Sequence, residues 1–181
     1  RAAGERELSA YPRLRSIDGT AEATTLAPHS VDFIVAGQAF HWFDRERART
    51  EFLRILRPDG CVALVWNERE TRATPFLRDY EALLERYATD YASIDHKRLT
   101  PGILGKFFGP AGRRLATFPN RQLFDLAGLR GRLLSSSYTP EAGHPVHEPM
   151  LTDLERISAA HAGNGRVAFE YTTRMHYGWL G

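Results

Sequence analysis

The stretch Val31-Asp32-Phe33-Ile34-Val35-Ala36-Gly37-Gln38-Ala39-Phe40-His41-Trp42-Phe43 constrains the fold of this chain more than any other. It begins as an apolar run after loop-forming residues and ends in polar and aromatic side chains. A segment with apolar residues at helical spacing follows. That pattern predicts a buried strand of an α/β sheet, its carboxyl end opening onto a crevice. Open α/β sheets bind their ligands at such ends.

The rest of the chain supplies further elements. Residues 1–11 carry helix formers, and Pro12 stops a helix there. Arg13 to Ile17 alternate polar and apolar, which predicts a short strand leading into an Asp18-Gly19 turn. Asp44 is placed to cap a helix with Ala48, Phe52, Ile55 and Leu56 inward, and Pro58-Asp59-Gly60 predicts a tight turn at its end. Cys61 to Trp66 reads as a central strand covered on both faces. Past Thr74, the spacing of Phe76, Tyr80, Leu83, Leu84, Tyr87 and Tyr91 predicts an amphipathic helix with a core face. Ile94 to Pro110 reads as a loop-rich cap with a short helix, and Leu115 to Phe124, which contains Pro119, as an edge strand. A short helix from Leu126 to Ser135 precedes a long loop, Tyr138 to Pro149. Met150, Leu151, Leu154 and Ile157 mark another helix, stopped at Gly163-Asn164-Gly165, before a last strand from Arg166 to Tyr177.

At 181 residues and 43% apolar content, the chain suits one globular domain. Its 24 basic and 22 acidic residues nearly balance, which argues against a surface built for nucleic acid. Cys61 is the single cysteine, so neither an internal disulfide nor a thiolate zinc cluster can form. No leader opens the chain and no run approaches the roughly 20 apolar residues that span a bilayer. A soluble protein of the reducing cytoplasm fits these features. His144, His147 and Glu148 match no zinc spacing, so no metal is expected, and Ser135-Ser136-Ser137 lacks a nucleophile elbow.

Around the Val31 run lie Asp18-Gly19-Thr20-Ala21-Glu22 and Ile55-Leu56-Arg57-Pro58-Asp59-Gly60, and further on Trp66-Asn67-Glu68-Arg69, Phe118-Pro119-Asn120-Arg121-Gln122 and Gly131-Arg132-Leu133-Leu134-Ser135-Ser136-Ser137-Tyr138. Together these resemble class I S-adenosylmethionine-dependent methyltransferases of the small-molecule type. The resemblance implies a Rossmann-like sheet of order 3-2-1-4-5-7-6 with helices on both faces. This chain would supply strands 3 to 7 and lack the first two strands and the glycine-rich loop, as an N-terminally truncated form. Residues 1–181 would then be one incomplete methyltransferase domain, with 68–110 and 126–163 as cap and helical segments. The gap beside the Val31 strand would be filled by an upstream segment, by a second copy in a homodimer, or by rearranged pairing.

By the same resemblance, Thr20, Ala21 and Glu22 face the adenine edge of S-adenosyl-L-methionine, with a Thr20 hydroxyl where many relatives offer a carboxylate. Gly37, Gln38 and Ala39 meet its methionine moiety. His41 is the candidate base, while Trp42, Trp66 and Asn67 face the acceptor. The implied activity is methyl transfer to a small molecule, with no nucleic-acid or membrane partner. The alternative is a non-catalytic remnant serving as an interaction or assembly module. A nicotinamide oxidoreductase is disfavoured because its glycine fingerprint is absent from these residues.

Overall fold

A computed structural model describes residues 2–89 and 100–181. The elements in chain order are α1 (Ala2–Glu7), β1 (Val31–Gly37), a 3-10 turn (Phe40–Trp42), α2 (Arg45–Ile55), β2 (Leu56–Arg69) and α3 (Pro75–Tyr87), then α4 (Pro101–Phe108), β3 (Arg114–Phe124), α5 (Leu126–Leu134), α6 (His147–His161) and β4 (Val167–Gly178). The strands follow one another in the order β1-β2-β4-β3. This mixed α/β arrangement is the expected fold class. Its order is that of strands 4-5-7-6 in the resemblance, with β1 and β3 at the two ends.

The chain divides into two compact units. The first comprises Arg1–Leu64, Pro101–Arg114 and Tyr177–Gly181. In it β1, α2 and the first half of β2 form a strand-helix-strand unit. The His29 amide donates to the Arg54 carbonyl, the Ser30 amide to that of Ile55, and Asp32 pairs with Arg57 at 2.7 Å, so β1 and β2 run the same way. Asp44 caps α2 by accepting from the Arg47 amide at 3.2 Å. Ala48, Phe52 and Ile55 on the inner face of α2 are buried with Phe40, Val62, Leu64, Leu104, Phe107 and Phe108. Edge-to-face rings bind this core, Phe40 lying 4.5 Å and Phe52 6.1 Å from Phe107.

The second unit holds Val65–Thr100 and Leu115–His176. The Thr173 hydroxyl bonds Asn67 and the Glu70 amide bonds the Glu170 carbonyl, an ascending register against a descending one, so the second half of β2 is antiparallel to β4. Thr74 caps α3, whose Phe76, Leu77, Tyr80, Leu83 and Leu84 bury against α6 residues Met150, Leu151, Leu154 and Ile157 and the β4 ring Phe169. The α3 spacing therefore marks core, as its sequence predicts, while Tyr91 and residues 94–99 lie outside the described residues.

Four expectations need correction. The Val31 strand is not buried: Phe33 and Val35 are 74% and 67% exposed, because β1 stands at the end of the order with only β2 beside it among the described residues. Arg13–Ile17 forms no strand; these residues are exposed and have no neighbouring ladder, without which isolated extended chain is marginal. Pro58-Asp59-Gly60 makes no turn between helix and strand, since α2 ends at Ile55 and β2 starts at Leu56. Gly60 serves instead a close approach, for a Cβ there would stand 2.6 Å from Leu56 Cδ2 and 3.0 Å from the Arg57 carbonyl oxygen. The Tyr138–Pro149 loop ends early because α6 begins at His147, and Pro149 fits its first turn, whose amides need no intrahelical acceptor.

Candidate functional site

Both segments on which the cofactor reading depends lie in the first unit. Thr20 and Ala23 form an isolated bridge, the Thr20 amide donating to the Ala23 carbonyl and the reverse, each at 3.2 Å. This turn presents Ala21 and Glu22 half-buried at its tip. Among the described residues the Ala21 amide donates to no acceptor. Glu22 Oε1 accepts from the Asp44 amide at 2.9 Å, at the start of α2. That bond to the helix N-terminus, then the carboxyl's bond to its own backbone amide and then the Thr20 hydroxyl hold the Glu22 carboxyl below its ordinary range. The Thr20 turn is thereby tied to the start of α2 through Glu22 and Asp44.

A second tether lies deeper. Glu51, buried on α2, accepts from the Thr24 amide at 2.8 Å and the Thr24 hydroxyl at 2.5 Å, and from Arg54 Nε and Nη2 at 2.7 Å each. Arg54 Nη2 also donates to the Leu26 carbonyl at 2.8 Å. Arg54 and Thr24 hold the Glu51 carboxyl down at about 2. Nothing in the local sequence marks Glu51 or Arg54 as partners of Thr24. Only their one-turn spacing on α2 hints at the ion pair.

At the end of β1, Gly37 is exposed and a Cβ on it would meet nothing within 4 Å, so the backbone there is open to close approach. Gln38 takes a left-handed backbone with φ of 52°, a conformation that residues with a Cβ adopt at a cost. The chain then turns so that Phe40 is fully buried while Trp42, two residues on, is 71% exposed. His41 is half-buried with its ring 4.8 Å from that of Trp42. Phe43 packs on Phe40 at 5.8 Å and Phe52 at 6.2 Å and is half-buried at the edge of the core.

Trp66 and Asn67 lie in the second unit, on β2, which continues to Arg69. The Trp66 ring stands 6.0 Å from His176. Asn67 Oδ1 accepts from the Thr173 hydroxyl at 2.6 Å and from Asn120 Nδ2 at 3.3 Å. Asn120 also donates to Thr173 Oγ1 at 3.2 Å. Asn67 thus ties β2 to β4 and β3, a role that sequence reasoning missed along with both partners. A groove of about 440 Å³ in the first unit is lined by Phe43, Asp44, Arg45, Arg49, Lys106 and Phe107 among others. None of the residues expected at the cofactor lines it. Among the described residues no group of His, Cys, Asp and Glu could hold a metal ion.

Residues 1–64 match the family model described as a methyltransferase domain. Over those residues the chain is similar to methyltransferase domains. An uncharacterised methyltransferase-like protein of Schizosaccharomyces pombe is 29% identical over 148 residues, 82% of this chain and 57% of that relative. An uncharacterised methyltransferase of Mycobacterium tuberculosis is 45% identical over 64 residues, 35% of this chain and 26% of its own length. The chain thus spans little more than half the length of the first of these relatives. A solved structure described as a putative type II methyltransferase from Anaeromyxobacter dehalogenans superposes with a TM-score of 0.61 over 94% of this chain and 73% of the other, at 22% identity. That likeness shows the fold, a Rossmann-like open α/β sheet with helices, as the sequence resemblance implies. Among the described residues no helix is long and apolar enough to cross a membrane.

Proposed function

We propose that this chain carries part of the site of an S-adenosyl-L-methionine-dependent methyltransferase acting on a small-molecule acceptor. The observation that supports the reading is the Glu22 to Asp44 bond, which ties the Thr20–Glu22 turn to the start of α2, the helix that follows the Gly37–Ala39 end of β1. The donor set fits the cofactor. The Ala21 amide is a donor for an adenine nitrogen, and the Thr20 hydroxyl, turned toward Glu22, keeps lone pairs for the adenine amino group. Gly37 lets the methionine moiety approach the backbone, and Gln38 beside it, held in a left-handed backbone, supplies a carboxamide to it. When bound, the cofactor supplies an electrophilic methyl group, and the protein's part is to position the acceptor in line with it. His41, half-buried at the same end of β1, takes the acceptor proton where the acceptor must lose one. Trp42 offers an exposed aromatic face to a cationic sulfur or to the acceptor. By the resemblance alone, Trp66 and Asn67 serve the acceptor.

The open edge of β1, with Phe33 and Val35 exposed, favours completion of the sheet by a further strand, either from an upstream segment or from a second copy. The same edge is what a non-catalytic assembly module would use, so it supports that second reading as well. We place the protein in the cytoplasm and give it neither nucleic-acid nor membrane partners.

Isothermal titration with S-adenosylhomocysteine tests the proposal. The wild-type chain is expected to bind saturably, and Gln38→Ala to weaken binding about tenfold, equal to about 1.4 kcal/mol. No saturable binding by wild type would leave the assembly reading in its place, and an unchanged constant for Gln38→Ala would remove Gln38 from the site.

A further inference from the structure

The groove of about 440 Å³ in the first unit has no part in the cofactor reading. Small-molecule sites span roughly 300–1,000 Å³, so it has room for such a ligand. Phe43, Ile103 and Phe107 give it apolar surface. The Phe43 and Phe107 rings are braced by Phe40, at 5.8 Å and 4.5 Å, and Phe107 also by Phe52 at 6.1 Å, so this wall is preformed.

The charged lining is unequally committed. Arg49, half-buried, donates from Nε to the Phe107 carbonyl at 2.7 Å and from Nη2 to the Gly181 carbonyl, which pins its guanidinium. Asp44 Oδ1 accepts from the Arg47 amide at 3.2 Å as the cap of α2. Arg45 and Lys106 are exposed, and among the described residues neither side chain has a carboxylate or hydrogen-bond partner. Glu46 is exposed as well. Arg45, Arg49 and Lys106 stand against Asp44 and Glu46, which leaves the lining one positive charge in excess. Room, an apolar wall and two uncommitted cations thus coincide in one place.

We infer that this groove binds a small organic monoanion, an apolar body bearing one carboxylate. The body lies on Phe43, Ile103 and Phe107, and Arg45 and Lys106 meet the carboxylate. The planar fork of a guanidinium matches the two oxygens of a carboxylate, and an ammonium adds a point charge. A neutral ligand leaves both cations unused, and an ammonium ligand meets the excess charge with like sign. The groove lies wholly within the first unit, and its ligand is independent of the methyl-transfer reading.

Backbone amide NMR of the intact chain, titrated with phenylacetate, phenylacetamide and phenethylamine, tests it. These probes share an aromatic body and differ in charge. Phenylacetate is expected to shift the amides of Arg45, Glu46, Lys106 and Phe107 saturably in the millimolar range. Phenylacetamide should bind about tenfold more weakly, since two exposed ion pairs are lost, and phenethylamine more weakly still. Arg45→Gln and Lys106→Gln, both at exposed positions, should each weaken phenylacetate about twofold to fivefold and leave phenylacetamide unchanged. No saturation at tens of millimolar, shifts confined to residues outside the groove, equal binding of acid and amide, or tighter binding of the amine would each overturn the assignment. A double variant, Arg45→Gln with Lys106→Gln, that still prefers the acid to the amide would overturn it as well. The comparison of the three probes uses only the wild-type chain, so it decides even if a variant fails to fold.

Discussion

Removing the charge of Glu51 should loosen the turn that carries Thr20 and Glu22, and the structure sets the scale. In the folded chain the Glu51 carboxyl is held at about 2, against an ordinary 4.5. At about 1.36 kcal/mol per pKa unit that difference corresponds to about 3.4 kcal/mol. The Arg54 side chain is 38% exposed, so solvent screening lowers the effective figure to about 2 kcal/mol. The folded value is the depressed one, so the contribution is whole above about pH 4.5 and fades as pH falls toward about 2. Glu51→Gln keeps the side chain's shape and an acceptor oxygen for Thr24 but loses the charge. Urea unfolding at pH 7 should show a loss of about 2 kcal/mol. The gap between wild type and variant should narrow as the titration is carried from pH 5 to pH 3. Amide exchange at Thr24 and Leu26 should speed up in the variant more than at core positions such as Phe52. A gap under about 0.5 kcal/mol at pH 7, or one that stays constant down to pH 3, would refute the reasoning.

Two other substitutions test the framework. Phe40→Ala empties a fully buried site between Phe43 and Phe107 and should cost about 3–5 kcal/mol by chemical denaturation; a cost under 1 kcal/mol would mean that the turn after β1 is not anchored by this ring. Asn67→Ala leaves the Thr173 hydroxyl and the Asn120 amide short of an acceptor and should cost about 1–3 kcal/mol, read as a fall in the denaturation midpoint; an unchanged midpoint would show that Asn67 does not tie the strands.

Local signals in the sequence survive in the structure where their cause is local. Asp44 and Thr74 cap α2 and α3 because a short acceptor side chain before an apolar helical pattern satisfies the first free amides whatever surrounds it. The inward faces of α2, α3 and α6 follow from 3.6-residue spacing for the same reason. The strand order was legible only through the family resemblance, since nothing in Leu115–Phe124 or Val167–Gly178 states which neighbour each will take. The apolar run from Val31 does not fix its burial, because it reports what the strand is suited to, while exposure depends on which strands stand beside it. Glu51 with Thr24, Asn67 with Thr173, and Arg132 over Phe169 are tertiary meetings 27, 106 and 37 residues apart along the chain. No spacing rule reaches across such separations. Gln38 shows the reverse case, where a left-handed residue beside a glycine is a structural signal at the candidate site that its identity alone conceals.

The most direct test of the account is a two-dimensional amide NMR titration of the chain with S-adenosylhomocysteine. If the Thr20 turn and the end of β1 hold one ligand between them, the Ala21 and Glu22 amides and those of Gln38 to Trp42 will shift together along a single binding curve. Shifts confined to one of these two segments, or found only elsewhere in the chain, would contradict it.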